Sequence, residues 1–344
     1  MHRVTLKQLS RKQQGFTIVE IFIALSIGLV LLAGVVSIFA GIRSTSSKTS
    51  NYGEMQENGR FAISVLTEDL QRASYWGDDF KSVFDQSTIN PVPAAPGNEC
   101  NGGGINNGTF PGGVGPFRAL WGETVDVANP MGCFNDAKLG SDLIQIKRVV
   151  ANELVDNLGN PIVNAPAGNF YLVANEGQGV IFPPGAVPVI NNARVWQYQH
   201  HVYYVREEDQ GGNPVPVLMQ GQLTNQMSFA PIIDGIEMIR FMYGIDTTID
   251  PNLPGYGDID MYVSADGVNG GNGMTEAIWN GAGGRRILAV KIFVLARSTR
   301  PDITYRNTNT YQLGDLPITF NDNFRRLLFT STVILTNTGT DVWP

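Results

Sequence analysis

One acidic residue near the start of a long apolar run constrains this chain more than any other feature. The run covers residues 16–42, and Glu20 is its only formally charged residue. Residues 21–40 alone would form a helix about 30 Å long, which matches the hydrocarbon core of a bilayer. A carboxylate inside such a segment costs about 2.5–3.5 kcal/mol on insertion scales, and it is a functional hypothesis by default. The run therefore predicts a membrane-spanning helix, and Glu20 needs an explanation.

The residues before the run predict its orientation. Four bases and no acid precede it, namely Arg3, Lys7, Arg11 and Lys12. The positive-inside rule places this end in the cytoplasm and everything after the run across the membrane. A secretory signal peptide would have a shorter apolar core of about 7–15 residues. An uncleaved signal anchor, with Glu20 snorkelling to the headgroups, remains the alternative.

Residues 11–20 read RKQQGFTIVE and resemble the leader and mature start of a type IV prepilin. The resemblance implies that a dedicated peptidase cuts after Gly15, that Phe16 is N-methylated, and that Glu20 becomes the fifth residue of the mature chain. Cleavage would free an amine on Phe16. Because an unpaired charge in lipid is expensive, we expect Glu20 of one subunit to pair with the Phe16 amine of a neighbour during assembly.

Segments 60–77, 235–246 and 324–332 resemble, more loosely, the minor pilin family called PilW. This resemblance implies a minor pilin that takes part in assembly or priming of a type IV pilus. It implies a single-pass inner-membrane protein with a periplasmic C-terminal domain that later reaches the pilus and cell surface. The implied partners are other minor and major pilins, the prepilin peptidase, the inner-membrane assembly platform and a tip adhesin. A large type II secretion pseudopilin and a membrane-anchored periplasmic binding module are the alternatives.

The helix is expected to continue beyond the membrane. The apolar run holds small residues at helix-packing spacing, such as Ala24 and Gly28, and no proline occurs between Phe16 and Trp76. Residues 43–76 then form an amphipathic pattern with three- and four-residue steps. Its apolar stripe consists of Met55, Gly59, Ala62, Leu66, Leu70 and Ala73. The charged residues assigned to the other face are Glu54, Glu57, Arg60, Glu68, Asp69 and Arg72.

The rest of the chain divides by composition. We expect a leader at 1–15, a transmembrane helix at 16–42, its amphipathic continuation at 43–76, a Gly/Pro-rich loop region at 77–140 and a β-rich globular domain at 141–344. Strands are predicted at 143–150, 170–173, 179–182, 194–205, 236–245, 287–296 and 324–336, with 287–296 central because it is almost continuously apolar. The predicted fold class is α+β, with a long N-terminal helix packed on an antiparallel sheet.

Two cysteines, Cys100 and Cys133, follow the membrane segment. Export places them in an oxidising compartment, where a pair is normally a disulfide. A disulfide between them would close a loop of about 34 residues and would stabilise the folded state by about 3–4 kcal/mol. Two free thiols or a metal pair remain the alternatives.

The sequence contains no recognised active-site signature, such as G-x-S-x-G, Walker A, H-E-x-x-H or C-x-x-C. The glycine-rich segment 267–273 is interpreted as a loop, because no helix pattern follows it. His200 and His201 are strand neighbours on opposite faces, which disfavours a shared metal, and His2 would leave with the leader. We therefore expect no catalytic residue, no cofactor and no metal site.

The charge of the chain argues against a nucleic-acid partner. The net charge is −7, which argues against a broad DNA-binding face. Five aspartates lie close together in sequence, namely Asp246, Asp250, Asp258, Asp260 and Asp266. A solvated acidic loop is our interpretation, with calcium binding as the alternative. The pairs Arg285-Arg286 and Arg325-Arg326 are interpreted as surface charge that could also pair with those acids.

Overall fold

A computed structural model describes residues 15–77, 80, 82–248, 250–266 and 273–337. One helix, α1 (Ile18–Gln71), begins near the start of this range. The chain divides into two units at Tyr52 and Gly53, so the first part of α1 belongs to an N-terminal unit and the rest to a globular unit. Most of the predicted leader lies outside the described residues.

The globular unit contains a seven-stranded antiparallel sheet. It is built around the long strand β7, which pairs with β2, β4 and β8, while β1, β5 and β9 extend the sheet. Its strands are β1 (Leu120–Thr124), β2 (Asp142–Val149), β4 (Phe170–Ala174), β5 (Gly179–Phe182), β7 (Arg194–Asp209), β8 (Pro214–Leu223) and β9 (Met227–Asp234). Two short strands, β3 (Asn164–Ala165) and β6 (Gly185–Ala186), pair beside it.

A second antiparallel sheet has four strands in the order β11-β10-β12-β15. They are β10 (Ile236–Asp246), β11 (Met261–Ser264), β12 (Arg286–Arg297) and β15 (Arg326–Ile334). The central position predicted for 287–296 is confirmed, because β12 pairs with β10 on one side and β15 on the other. The smaller elements are α2 (Glu276–Trp279), a 3-10 turn (Ala282–Gly284) and the hairpin of β13 (Thr310–Leu313) and β14 (Leu316–Thr319).

The C-terminal part of α1 shares one apolar core with both sheets. The predicted stripe is confirmed, since Met55, Ala62, Leu66, Leu70 and Ala73 are buried. Of these, Ala62, Leu66, Leu70 and Ala73 pack with β2, β7 and β8 of the larger sheet and with β10, β12 and β15 of the smaller one. Gly59 lets the helix approach β15 closely, because a Cβ at that position would overlap the Phe329 ring. The α+β class is thus confirmed, with two sheets where one was expected.

Two expectations about local structure are corrected. Asp69 was assigned to the solvent face of the helix, but it is buried, because charged partners on β2 and β7 surround it. The strands β8 and β9, which follow a turn-like segment rich in proline and glycine, were not among the predicted strands.

Candidate processing and assembly site

Gly15 and Phe16 lie just before α1, and the peptide bond between them is the one at which the sequence predicts cleavage of the leader. A Cβ on Gly15 would meet no atom within 4 Å. The Phe16 side chain is 83% exposed within the chain. Packing within the folded subunit therefore does not require a glycine at position 15 or a phenylalanine at position 16. Any requirement for these two residues must come from contact with another molecule.

Thr17 and Glu20 form a capping box at the first turn of α1. The Thr17 N–H and hydroxyl donate to the Glu20 carboxylate at 2.9 and 3.0 Å, and the Glu20 N–H donates back to the Thr17 hydroxyl at 3.3 Å. This reciprocal pair satisfies donors that the helix itself leaves free. The carboxylate that we treated as isolated thus has a partner in its own chain. The spacing T-x-x-E is a known signature of this motif, and our sequence reasoning did not use it.

The segment after Glu20 is apolar on every side. Its large side chains, from Ile21 to Ile42, are all more than half exposed within the chain. By length and composition α1 is able to cross a membrane. A Cβ at Gly28, Gly34 or Gly41 would meet no atom within 4 Å, so these glycines leave open surface where another helix could approach.

In the globular unit, the predicted disulfide is confirmed. Cys100 and Cys133 are bonded, with their Cα atoms 5.0 Å apart. Cys100 is fully buried beside Phe110 and Met131 in the core of the larger sheet. The bond therefore ties the glycine-rich loop to the rest of the fold.

A buried polar network holds the C-terminal end of α1 on the larger sheet. The Asp69 carboxylate accepts hydrogen bonds from Arg148 Nε at 2.6 Å and from the Tyr203 hydroxyl at 2.8 Å. His201 Nδ1 lies 2.6 Å from the same carboxylate. Burial alone would raise the pKa of the Asp69 carboxyl, but the charges and hydrogen bonds of His201 and Arg148 outweigh it and hold the pKa well below its ordinary value.

The two adjacent histidines face opposite sides of β7. The His200 ring lies 2.7 Å from the Gln145 side chain and 3.2 Å from the Thr109 hydroxyl, whereas His201 contacts Asp69. Within the described ranges, no group of three or more His, Cys, Asp or Glu side chains is arranged to hold a metal ion.

The solvated interpretation of the acidic segment is wrong for Asp246, which is buried and forms an ion pair with Arg286. The other four aspartates are exposed, namely Asp250, Asp258, Asp260 and Asp266, although Asp266 also pairs with the buried Arg240.

Three of the four arginines interpreted as surface charge are at least partly enclosed. Arg326 is buried against Glu237 and Asp322, and Arg286 is half-buried beside Asp246. Arg325 is also partly buried and pairs with Asp302 at 3.0 Å, whereas Arg285 is exposed. Most of the glycine-rich segment 267–273 lies outside the described residues.

Comparison with known families agrees with this arrangement. Residues 10–36 match the prokaryotic N-terminal methylation motif, and residues 202–337 match the family described as Type IV Pilus-assembly protein W. The pilin-like protein PilA3 of Thermus thermophilus is 38% identical over 66 residues. That match covers 19% of this chain and 28% of the length of PilA3. No solved structure matches the chain.

The methylation motif, the long apolar helix and the β-rich globular unit together are consistent with a type IV pilin-like fold. The PilW match runs from within β7 through β15, so this part of the globular unit is similar to the Type IV Pilus-assembly protein W family. Both matched families are structural, and neither is an enzyme family.

Proposed function

We propose that this protein primes or supports assembly of a type IV pilus as a minor subunit, and that it enters the fibre through α1. In this proposal the prepilin peptidase cuts between Gly15 and Phe16, and Phe16 is methylated. The N-terminus starts in the cytoplasm, α1 crosses the inner membrane once, and the globular unit lies in the periplasm until it reaches the pilus and the cell surface. Other minor and major pilins, the assembly platform and a tip adhesin are the proposed partners.

The observation that carries the proposal is the position of Glu20 at the first turn of an apolar helix, close to the Gly15–Phe16 bond. In the single chain the carboxylate is held by Thr17. Cleavage would supply a cation, the Phe16 amine, only a few residues away. In lipid an ion pair stabilises a carboxylate more than neutral donors do, because charge-assisted hydrogen bonds are stronger and the medium has a low dielectric constant. We infer that packing subunits exchange the Thr17 contact for the amine of a neighbour.

Two substitutions separate the charge of Glu20 from its capping role. Glu20→Gln keeps an acceptor for the Thr17 N–H and removes the charge, whereas Thr17→Val removes the hydroxyl and keeps the charge. Both should be cleaved after Gly15 and inserted normally. Only Glu20→Gln should lower the amount of protein recovered in sheared fibres by about tenfold, the equivalent of roughly 1.4 kcal/mol. Equal recovery of Glu20→Gln and wild type would refute the pairing.

Mass spectrometry of the N-terminus tests the wider proposal. A chain that begins at methylated Phe16, and only when the prepilin peptidase is present, supports a filament subunit. A chain that keeps its first fifteen residues supports a membrane-anchored binding module instead. Copurification with type II secretion subunits, rather than with pilins, would favour the pseudopilin alternative.

A further inference from the structure

Lys147 is an amine enclosed in the core of the globular unit. It lies on β2 and is fully buried. Its Nζ donates to the Asn107 side-chain oxygen at 2.9 Å and to the Arg118 carbonyl at 2.9 Å. The Phe117 ring covers the amine, with its centroid 4.6 Å from Nζ.

The surroundings of Lys147 favour the neutral amine. Among the residues that the structure describes, no carboxylate lies within ion-pair distance of Nζ, and both hydrogen-bond acceptors are neutral. Burial lowers the pKa of Lys147 well below its ordinary value, the Glu99 carboxylate opposes this shift, and Arg118 adds to it. A deprotonated lysine in an apolar site is a nucleophile.

The Asn107 amide is held in place against this amine. Asn107 is buried, and its Nδ2 donates to the Gly103 carbonyl at 2.9 Å. Gly102 leaves room for the amide, because a Cβ there would overlap Nδ2. The carbon that a nucleophile would attack, Cγ, is bonded to the oxygen that Nζ contacts. The amine and the amide are thus already held in contact in the folded chain, which lowers the entropic part of the barrier to their reaction.

We propose that Lys147 and Asn107 form an intramolecular isopeptide bond in the folded protein. The Nζ lone pair attacks Cγ of Asn107, and the Nζ–Cγ bond forms. The Cγ–Nδ2 bond then breaks, and a proton from Nζ passes to Nδ2, which leaves as ammonia. One amide replaces another, so the step needs no oxidant, reductant or further reactant.

We assign the transfer of that proton to Glu99, the carboxylate whose charge acts on Lys147. Its Oε1 accepts the Thr109 N–H at 2.8 Å, two residues after Asn107. Glu99 also lines the 630 Å³ cavity that borders Gly102 and Asn107, which gives ammonia a way out. The bond would join β2 to the same loop that the disulfide holds, and so protect the loop against force on an extended fibre.

Tryptic mapping of the full chain, purified in detergent, tests the bond directly. In the unlinked protein, Asn107 lies in the peptide 82–118, Lys147 ends the peptide 139–147, and Cys133 lies in the peptide 119–138. After the bond forms, trypsin no longer cuts at Lys147. The expected product is 82–118 joined to 139–148 after reduction of the disulfide, with a mass lower than the sum of these two peptides by one ammonia.

Variants provide the controls. Asn107→Ala should abolish the joined peptide and restore cutting after Lys147, and Glu99→Gln should lower the linked fraction at least tenfold. An unchanged linked fraction in Glu99→Gln would overturn the part assigned to Glu99. Wild-type protein that releases 139–147 with a free lysine would overturn the bond itself. Loss of ammonia without joined peptides would also overturn it, because Asn107 precedes Gly108 and would then have formed a succinimide.

Discussion

Replacing Asp69 with asparagine tests how the helix is held on the larger sheet. The substitution keeps the size of the side chain but removes the charge that Arg148 and His201 contact. Breaking a buried ion pair by removing one partner costs about 3–5 kcal/mol, because the other charge stays buried without compensation. For a domain of this size, such a loss lowers the melting temperature by on the order of 10 °C.

The neighbouring residue supplies a matched control. Glu68 pairs with Arg72 one turn along the same helix, but their side chains are 62% and 47% exposed. A surface pair of this kind contributes about 0–1 kcal/mol, so Glu68→Gln should change stability very little. Urea unfolding of the full chain in detergent measures both variants. Near-ultraviolet circular dichroism is a suitable signal, because the Trp196 side chain is buried in the core.

The effect of Asp69→Asn should also depend on pH. In the folded protein the pKa of Asp69 is held below its ordinary value of about 4. Its contribution is therefore complete above the unfolded pKa and is lost as the pH falls toward the folded one. The difference in the free energy of unfolding between wild type and Asp69→Asn should become smaller below about pH 4. A loss under about 1 kcal/mol at pH 7, equal to that of Glu68→Gln, would refute the anchoring role.

Three further predictions concern the globular unit. Replacing both disulfide cysteines with serine should cost about 3–4 kcal/mol in urea unfolding, and reductant should then have no further effect. Gly59→Ala should destabilise by about 1–3 kcal/mol through overlap with Phe329, whereas Gly53→Ala, which meets no atom, should stabilise by about 0.5–1 kcal/mol. Burial and the Asp126 charge raise the pKa of Glu123 to about 7. The folded state favours the protonated carboxyl, so the free energy of unfolding of the wild type decreases as the pH rises from about 4 to 7. Glu123→Gln should therefore be more stable than wild type at pH 8 and lose that advantage at pH 4.

Strands made of a continuous apolar run could be predicted from the sequence. Strands that contain proline could not. The segment at β12 is continuously apolar and has partners on both sides. Strands β8 and β9 were missed because proline demotes a strand in sequence reasoning. Here Pro214 opens β8, and Pro231 lies on the edge strand β9, beside the register shift at Leu218 and Met219. At those positions the missing N–H does not interrupt a regular ladder.

The disulfide could be predicted because the export signal and the two cysteines are both visible in the sequence. The Lys147 site could not be predicted in the same way. On β2 the residues Gln145 and Lys147 look like the polar face of a half-exposed strand, and Arg148 lies on the opposite face, yet all three are buried. Their partners come from the loop before β1, from α1 and from β7. Only the folded chain brings those segments together.

The two acids of α1 show why one position could be interpreted from sequence and the other could not. Glu20 is stabilised by Thr17, three residues away, so the pattern T-x-x-E contains both partners. Asp69 is stabilised by residues 79 to 134 positions later in the chain, and helical periodicity alone places it among solvent-facing charges. Whether a polar residue on a helix can be buried depends on what packs against that face. Here the larger sheet places Arg148 and His201 against Asp69. Such a buried acid is visible in sequence only once the strand register is known.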